Sequence, residues 1–74
     1  VLAAIDALLA QAKTDKRNIL RAEIFLADMA DFAGMNEAWG RWVPQGATPA
    51  RATVQAKLAS PGWKVEIVIT AAIP

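Results

Sequence analysis

The segment WKVEIVITAA, residues 63–72, constrains the fold more than any other. Trp63, Val65, Ile67, Ile69 and Ala71 alternate with Lys64, Glu66, Val68, Thr70 and Ala72. A period of two is the pattern of a β-strand, whose successive side chains point to opposite sheet faces. Both sets are largely apolar, so both faces need a cover. The chain has 74 residues, one small domain at most. Its helices suffice for one covering layer. The second cover is expected to be another copy of the same sheet, which puts Glu66 close to a subunit interface.

Composition points the same way. A domain of this length buries only about 60% of its unfolded surface, and such domains are usually reinforced by disulfides, a metal or association. There is no Cys and no His, which removes disulfides, thiol chemistry, soft metal sites and imidazole catalysis. Association remains, and a hydrophobic fraction of 55% fits it. Net charge is +1, from eight basic and seven acidic residues. No basic cluster is longer than Lys16-Arg17, so no nucleic-acid partner is expected. Apolar runs fall far short of a membrane span, and no signal-peptide pattern is visible. Absence of Cys fits a reducing cytoplasm, the expected location.

Residues 1–12 have the helical period, with Leu2, Ile5, Leu8, Leu9 and Ala12 on one face. The chain opens on Val1 within this pattern, with no capping residue ahead of it. Residues 1–74 are therefore expected to be the C-terminal part of a longer polypeptide, the rest of which can carry strands and site residues. After the polar KTDKRN the period drops to two. Leu20, Ala22, Ile24 and Leu26 share one face of a strand, opposite Arg21, Glu23 and Phe25. Asp28 is placed to start a helix from about Met29 to Trp42. Met29, Phe32, Met35, Trp39 and Trp42 form its apolar stripe, and Pro44 and Gly46 end it. Strands over Arg51–Leu58 and Trp63–Ala72 follow, joined by a turn at Pro61-Gly62.

The order α-β-α-β-β predicts an α+β fold with helices on one face of a sheet. The last two strands read as a hairpin, and the strand before the second helix can pair parallel to one of them. Centring the hairpin on Ser60-Pro61 sets Gln55 opposite Glu66 and Thr53 opposite Val68. Arg51 and Thr53 then share the face that carries Glu66. Arg51 lies too far along to be the direct partner of Glu66, though both can border one pocket, within a subunit or across an interface.

These segments resemble a known family. NILRAEIFLADMADFAGMNEAWGRWVP and TPARATVQAKLASPGWKVEI are similar to the Rid (YjgF-like) reactive intermediate deaminases. The shared features are a strand ending F-L-x-D, D-F-x-x-M-N opening a helix, P-A-R-A-T-V, and V-E-I in the last strand. The resemblance implies a chorismate-mutase-like α+β subunit, of which residues 1–74 are the C-terminal part without the first strands, a homotrimer and ligand pockets between subunits. It implies hydrolysis of reactive 2-imino acids (the imine and enamine intermediates) to 2-keto acids and ammonia, with no metal or organic cofactor. Arg51 matches the arginine that binds the substrate carboxylate. Glu66 matches the acidic residue that orients the hydrolytic water. Asn36 matches a helix asparagine near the pocket, and Thr53 stands where many members have Cys, its backbone being the part expected to touch ligand. Val68 replaces a second acidic residue common in the family, and SPGW replaces a leucine-proline turn. Both departures suggest a divergent subgroup.

Each of these residues also has a plainer reading. Arg51 suits bidentate carboxylate recognition; by position alone it reads as one side of an interface ion pair. Glu66 on a doubly covered strand is costly unless paired or functional; burial there would raise its pKa, which suits proton exchange with water. An ion pair with a lysine is the alternative. Asn36 can cap or bridge backbone. The three tryptophans are read as packing, and Met29 and Met35 as core. Arg41, Lys57 and Lys64 are read as solvated. A trimer that holds a small carboxylate without catalysis, as a sensor or chaperone-like protein, is the rival function.

Overall fold

The central strand of the sheet is the segment around AEIFL, and everything else is arranged to bury it. The computed structural model describes residues 2–74. Helix α1 spans Leu2–Gln11, β1 Ile19–Leu26, α2 Phe32–Trp42, β2 Ala50–Gln55 and β3 Val65–Ala71, with short 3-10 turns at Lys16–Asn18 and Met29–Asp31. Val1, the first residue of the expected helix, lies outside the described residues. The strand order is β2-β1-β3. β2 runs parallel to β1, and β3 antiparallel to it. Both helices pack on one face of this mixed sheet.

Helix α1 is rich in Ala and Leu, the strongest helix formers, and buries Ile5 and Leu9 one turn apart. Leu8 and Ala12, expected on the same face, are exposed, because the buried stripe of so short a helix is only one residue wide. It closes with the N–H of Lys13 on the Ala10 carbonyl and that of Thr14 on the Leu9 carbonyl, both at 3.0 Å. Lys13 takes the left-handed conformation at φ 63, where this helix-ending motif usually has glycine. Two polar contacts tie α1 and the following turn to α2. Trp42 Nε1 donates to Asp6 Oδ2 at 3.0 Å, and Lys16 Nζ donates to the Trp42 carbonyl at 2.7 Å.

The core holds Ala22, Ile24 and Leu26 from β1 against Trp39 and Val43, with Val65, Ile67 and Ile69 packed beside them. Ile24 is 0% exposed; burying a side chain of this kind stabilises by about 1.5–3 kcal/mol.

Several expectations are corrected. The last two strands do not form a hairpin, because β1 lies between them. Ser60-Pro61-Gly62 does make a turn, with the Trp63 N–H on the Ser60 carbonyl at 3.1 Å. It belongs to a connection, residues 56–64, that carries the chain past the end of β1. The Ala56 N–H bonds the Leu26 carbonyl on one side, and the Ala27 N–H the Lys64 carbonyl on the other. The most buried strand thereby gains a partner on both edges. β2 ends at Gln55 rather than Leu58, and β3 begins at Val65 rather than Trp63.

Leu20 is 60% exposed and Ile19 is buried instead. The register slips between Ile19 and Arg21, so Leu20 is the extra residue of a bulge. Met29 sits in the 3-10 turn, 41% exposed, and Phe32 is also exposed, so neither is core; Asp28 starts that turn by accepting from the Ala30 N–H at 2.9 Å. Met35 packs against the core as expected.

Candidate ligand site

β2 is an edge strand, and its register against β1 decides where its side chains go. Arg51 is level with Ala22 and Thr53 with Ile24, both fully buried on the helix side. Paired residues on neighbouring strands point to the same face, so Arg51 and Thr53 face α2. The Arg51 guanidinium carbon lies 5.7 Å from the centre of the Trp39 ring. Arg51 is half-buried. Among the described residues it makes no ion pair; those present join Arg17 to Asp15, Arg21 to Glu23 and Arg41 to Glu37. Thr53 Oγ1 is sealed from solvent without a hydrogen-bond partner. The side-chain hydroxyl is thus closed off, and what β2 offers a ligand near Thr53 is backbone on its outer edge. Asn36 is exposed on α2, one turn before Trp39.

Glu66 is level with Phe25 and therefore lies on the other face of the sheet. It shares that face with its partner Phe25, with Glu23 and Val68 beside it and Val54 beyond Phe25 on β2; Val54 and Val68 are exposed. Glu66 is itself exposed in the single chain. This corrects two expectations: Arg51 and Thr53 do not share the face of Glu66, and within one chain Glu66 is not buried. The cause is β1. In a β2–β3 hairpin the two strands would set each other's faces, whereas here each takes its face from β1. One chain brings Arg51, Thr53 and Trp39 together and leaves Glu66 apart from them.

A cleft of about 490 Å³ opens between α1, α2 and β3, lined by Leu2, Met35, Ala38, Trp39, Val65 and Ile67 among others. It is apolar and contains none of Arg51, Thr53, Asn36 or Glu66. Among the described residues no group of three or more Cys, His, Asp or Glu side chains could hold a metal ion, and no helix is long and apolar enough to cross a membrane. Arg41, Lys57 and Lys64 are exposed. Trp63 is exposed too, so it is not core. Asp15 accepts from the Arg17 N–H at 2.9 Å and from its guanidinium at 3.4 Å, and these bonds hold its carboxyl below the usual value. The residue that sequence reasoning undervalued is Trp39, read as packing alone; nothing in the sequence marks it as the neighbour of Arg51, which follows only from the β1–β2 register.

A βαβ unit continued by an antiparallel strand, with helices on one face and the other face open, defines a class of α+β subunit. The family model described as Endoribonuclease L-PSP matches residues 1–73. A RutC family protein of Haemophilus influenzae is 61% identical over 71 residues, which cover 96% of this chain and 61% of the relative. The RutC family protein YoaB of Escherichia coli is 56% identical over 72 residues, covering 97% and 63%. The crystal structure of a YjgF family member from Neisseria meningitidis superposes with a TM-score of 0.96 at 53% identity, over 99% of this chain and 61% of that one. The chain belongs to this family, the YjgF/RutC/Rid proteins, and spans about three-fifths of the length of these relatives.

Proposed function

We propose that the protein is an imine deaminase that hydrolyses 2-imino acids to 2-keto acids and ammonia, in sites assembled between copies of the subunit. The observation that carries this reading is the placement of Arg51: half-buried, resting on Trp39, with no carboxylate partner among the described residues of its own chain. A guanidinium so placed suits a bidentate carboxylate ligand. Family membership supports it. So does the open sheet face, whose exposed Val54 and Val68 a second copy would cover. A homotrimer is the proposed assembly.

Arg51 of one subunit holds the substrate carboxylate, and the backbone at the β2 edge beside Thr53 receives the imine end. Asn36 flanks the pocket from α2. Glu66 of a neighbouring subunit takes a proton from water as its oxygen attacks the imine carbon. Glu66 passes that proton to the nitrogen and then relays the carbinolamine's hydroxyl proton there as well, so that the C=O bond forms as the C–N bond breaks and ammonia leaves. Positioning and one proton relay suffice for so labile a bond.

Glu66→Gln keeps size and much of the hydrogen bonding but removes the base. Imines generated by an amino-acid oxidase, with semicarbazide as competing trap, should decay roughly 10²-fold more slowly with this variant than with wild type. 2-Oxobutyrate binding should stay within a few fold. Wild-type protein that binds keto acids yet accelerates no imine decay would replace the deaminase by a carboxylate-binding sensor.

A further inference from the structure

Arg51 is a long, flexible side chain on an edge strand, and freezing such a chain on binding is costly. Its neighbour is unusually well fixed. Trp39 is 5% exposed and packs in the core with Ala22, Ile24, Leu26 and Val43. It lies 5.4 Å from the ring of Trp42, tilted by 47°. Trp42 is in turn held by Asp6 through its indole N–H and by Lys16, whose ammonium both bonds the Trp42 carbonyl and sits 5.4 Å from the Trp42 ring. The series Lys16, Trp42, Trp39, Arg51 thus runs from the turn after α1, through α2, to the edge of β2. The ring beneath Arg51 cannot swing away without breaking these contacts.

We propose that Trp39 is the positioning residue of the site: its indole face holds the Arg51 guanidinium in place before a ligand arrives. A guanidinium attracted through its flat face to an aromatic ring keeps its in-plane N–H donors for a carboxylate. The role of Trp39 is then more than packing, although its burial shows only packing. The inference rests on the reading of Arg51 as the carboxylate holder.

The test compares Trp39→Phe with Trp39→Met. Phe and Met are close in volume, so the loss of packing is shared, and only Phe keeps an aromatic face. Calorimetry with 2-oxobutyrate should place Trp39→Phe within a few fold of wild type and Trp39→Met about tenfold weaker than Trp39→Phe. Equal affinity of the two variants would overturn the proposal. A second readout needs neither variant to fold nor any ligand to bind. In the NMR spectrum of the wild-type protein the Arg51 Nε proton should be shifted upfield by the indole ring, away from the exposed Arg17 and Arg41. An Arg51 resonance coincident with those two overturns the proposal by itself. Failure of 2-oxobutyrate to bind wild-type protein, with the upfield shift present, instead removes the carboxylate-binding reading and leaves the Trp39–Arg51 contact established.

Discussion

The two faces of the sheet are built from the same three strands and end in different states. On the helix side, Ala22, Ile24 and Leu26 are sealed by Trp39 and Val43, and the polar residues Arg51 and Thr53 sit at the β2 edge of that layer. On the other side, Val54 and Val68 stand exposed among Glu23, Phe25 and Glu66, with Arg21 and Glu23 paired at 3.5 Å. One face is a finished core, and the other is an apolar surface with charges that one chain leaves uncovered. The proposed chemistry needs a residue from each. A site that spans both faces of one sheet cannot close within that sheet, so the difference between the faces is itself a reason for the subunit to associate.

The largest effect is expected in the core. Ile24→Ala should cost about 2–5 kcal/mol in chemical denaturation, a large part of the about 5–15 kcal/mol that holds a domain together. Val68→Ala on the open face tells whether that face is covered. Covered by a second copy, it should cost about 2 kcal/mol, two buried methyl groups plus a small cavity, with a midpoint that rises with protein concentration. Bare, it should cost less than about 0.5 kcal/mol. The account predicts the larger value.

Arg51→Lys probes the β2 edge. It keeps the charge and loses the fork, so calorimetry should show 2-oxobutyrate bound about tenfold more weakly, about 1.4 kcal/mol, with assembly unchanged. Unchanged affinity would make Arg51 structural. The smallest effect lies on neither face. Asp15 is fully formed as an acceptor in the folded turn, where its carboxyl is held below its ordinary value of 3.8. The unfolded chain therefore binds this proton first as pH falls. The contribution is complete above the unfolded value and is lost as pH drops through the lower folded one. Asp15→Asn should remove a small acid-side slope below about pH 4 and leave stability at pH 7 slightly reduced. Measuring it subtracts the turn's acid sensitivity before the two faces are compared by titration.

Element positions were legible because they depend on local periodicity. The change from a helical period to a period of two near residue 19, the cap at Asp28 and the stops at Pro44 and Gly46 are all short-range signals. Within β2, alternation correctly grouped Arg51 with Thr53. Which face that group occupies was not legible, because it depends on the neighbouring strand. Ser60-Pro61-Gly62 turns the chain in the same way whether a hairpin or a crossing past β1 follows. The bulge at Leu20 is equally silent: Ile19 and Leu20 are both apolar, and only the pairing with Ala71 and Thr70 selects Ile19 for the core. For the same reason Glu66 could be named from its motif while its distance from Arg51's face could not.

The most direct test of a site shared between subunits is complementation. Arg51→Ala and Glu66→Gln subunits are each prepared alone, then mixed in equal amounts, unfolded and refolded together, and assayed for imine hydrolysis. If each site takes Arg51 from one subunit and Glu66 from its neighbour, random assembly restores both groups in about one site in four, the product of two even chances in a closed ring of head-to-tail contacts. The account predicts recovery of about a quarter of wild-type activity from two nearly inactive parents. Activity in the mixture no higher than the mean of the parents, with mixed assemblies verified by mass spectrometry, would contradict it.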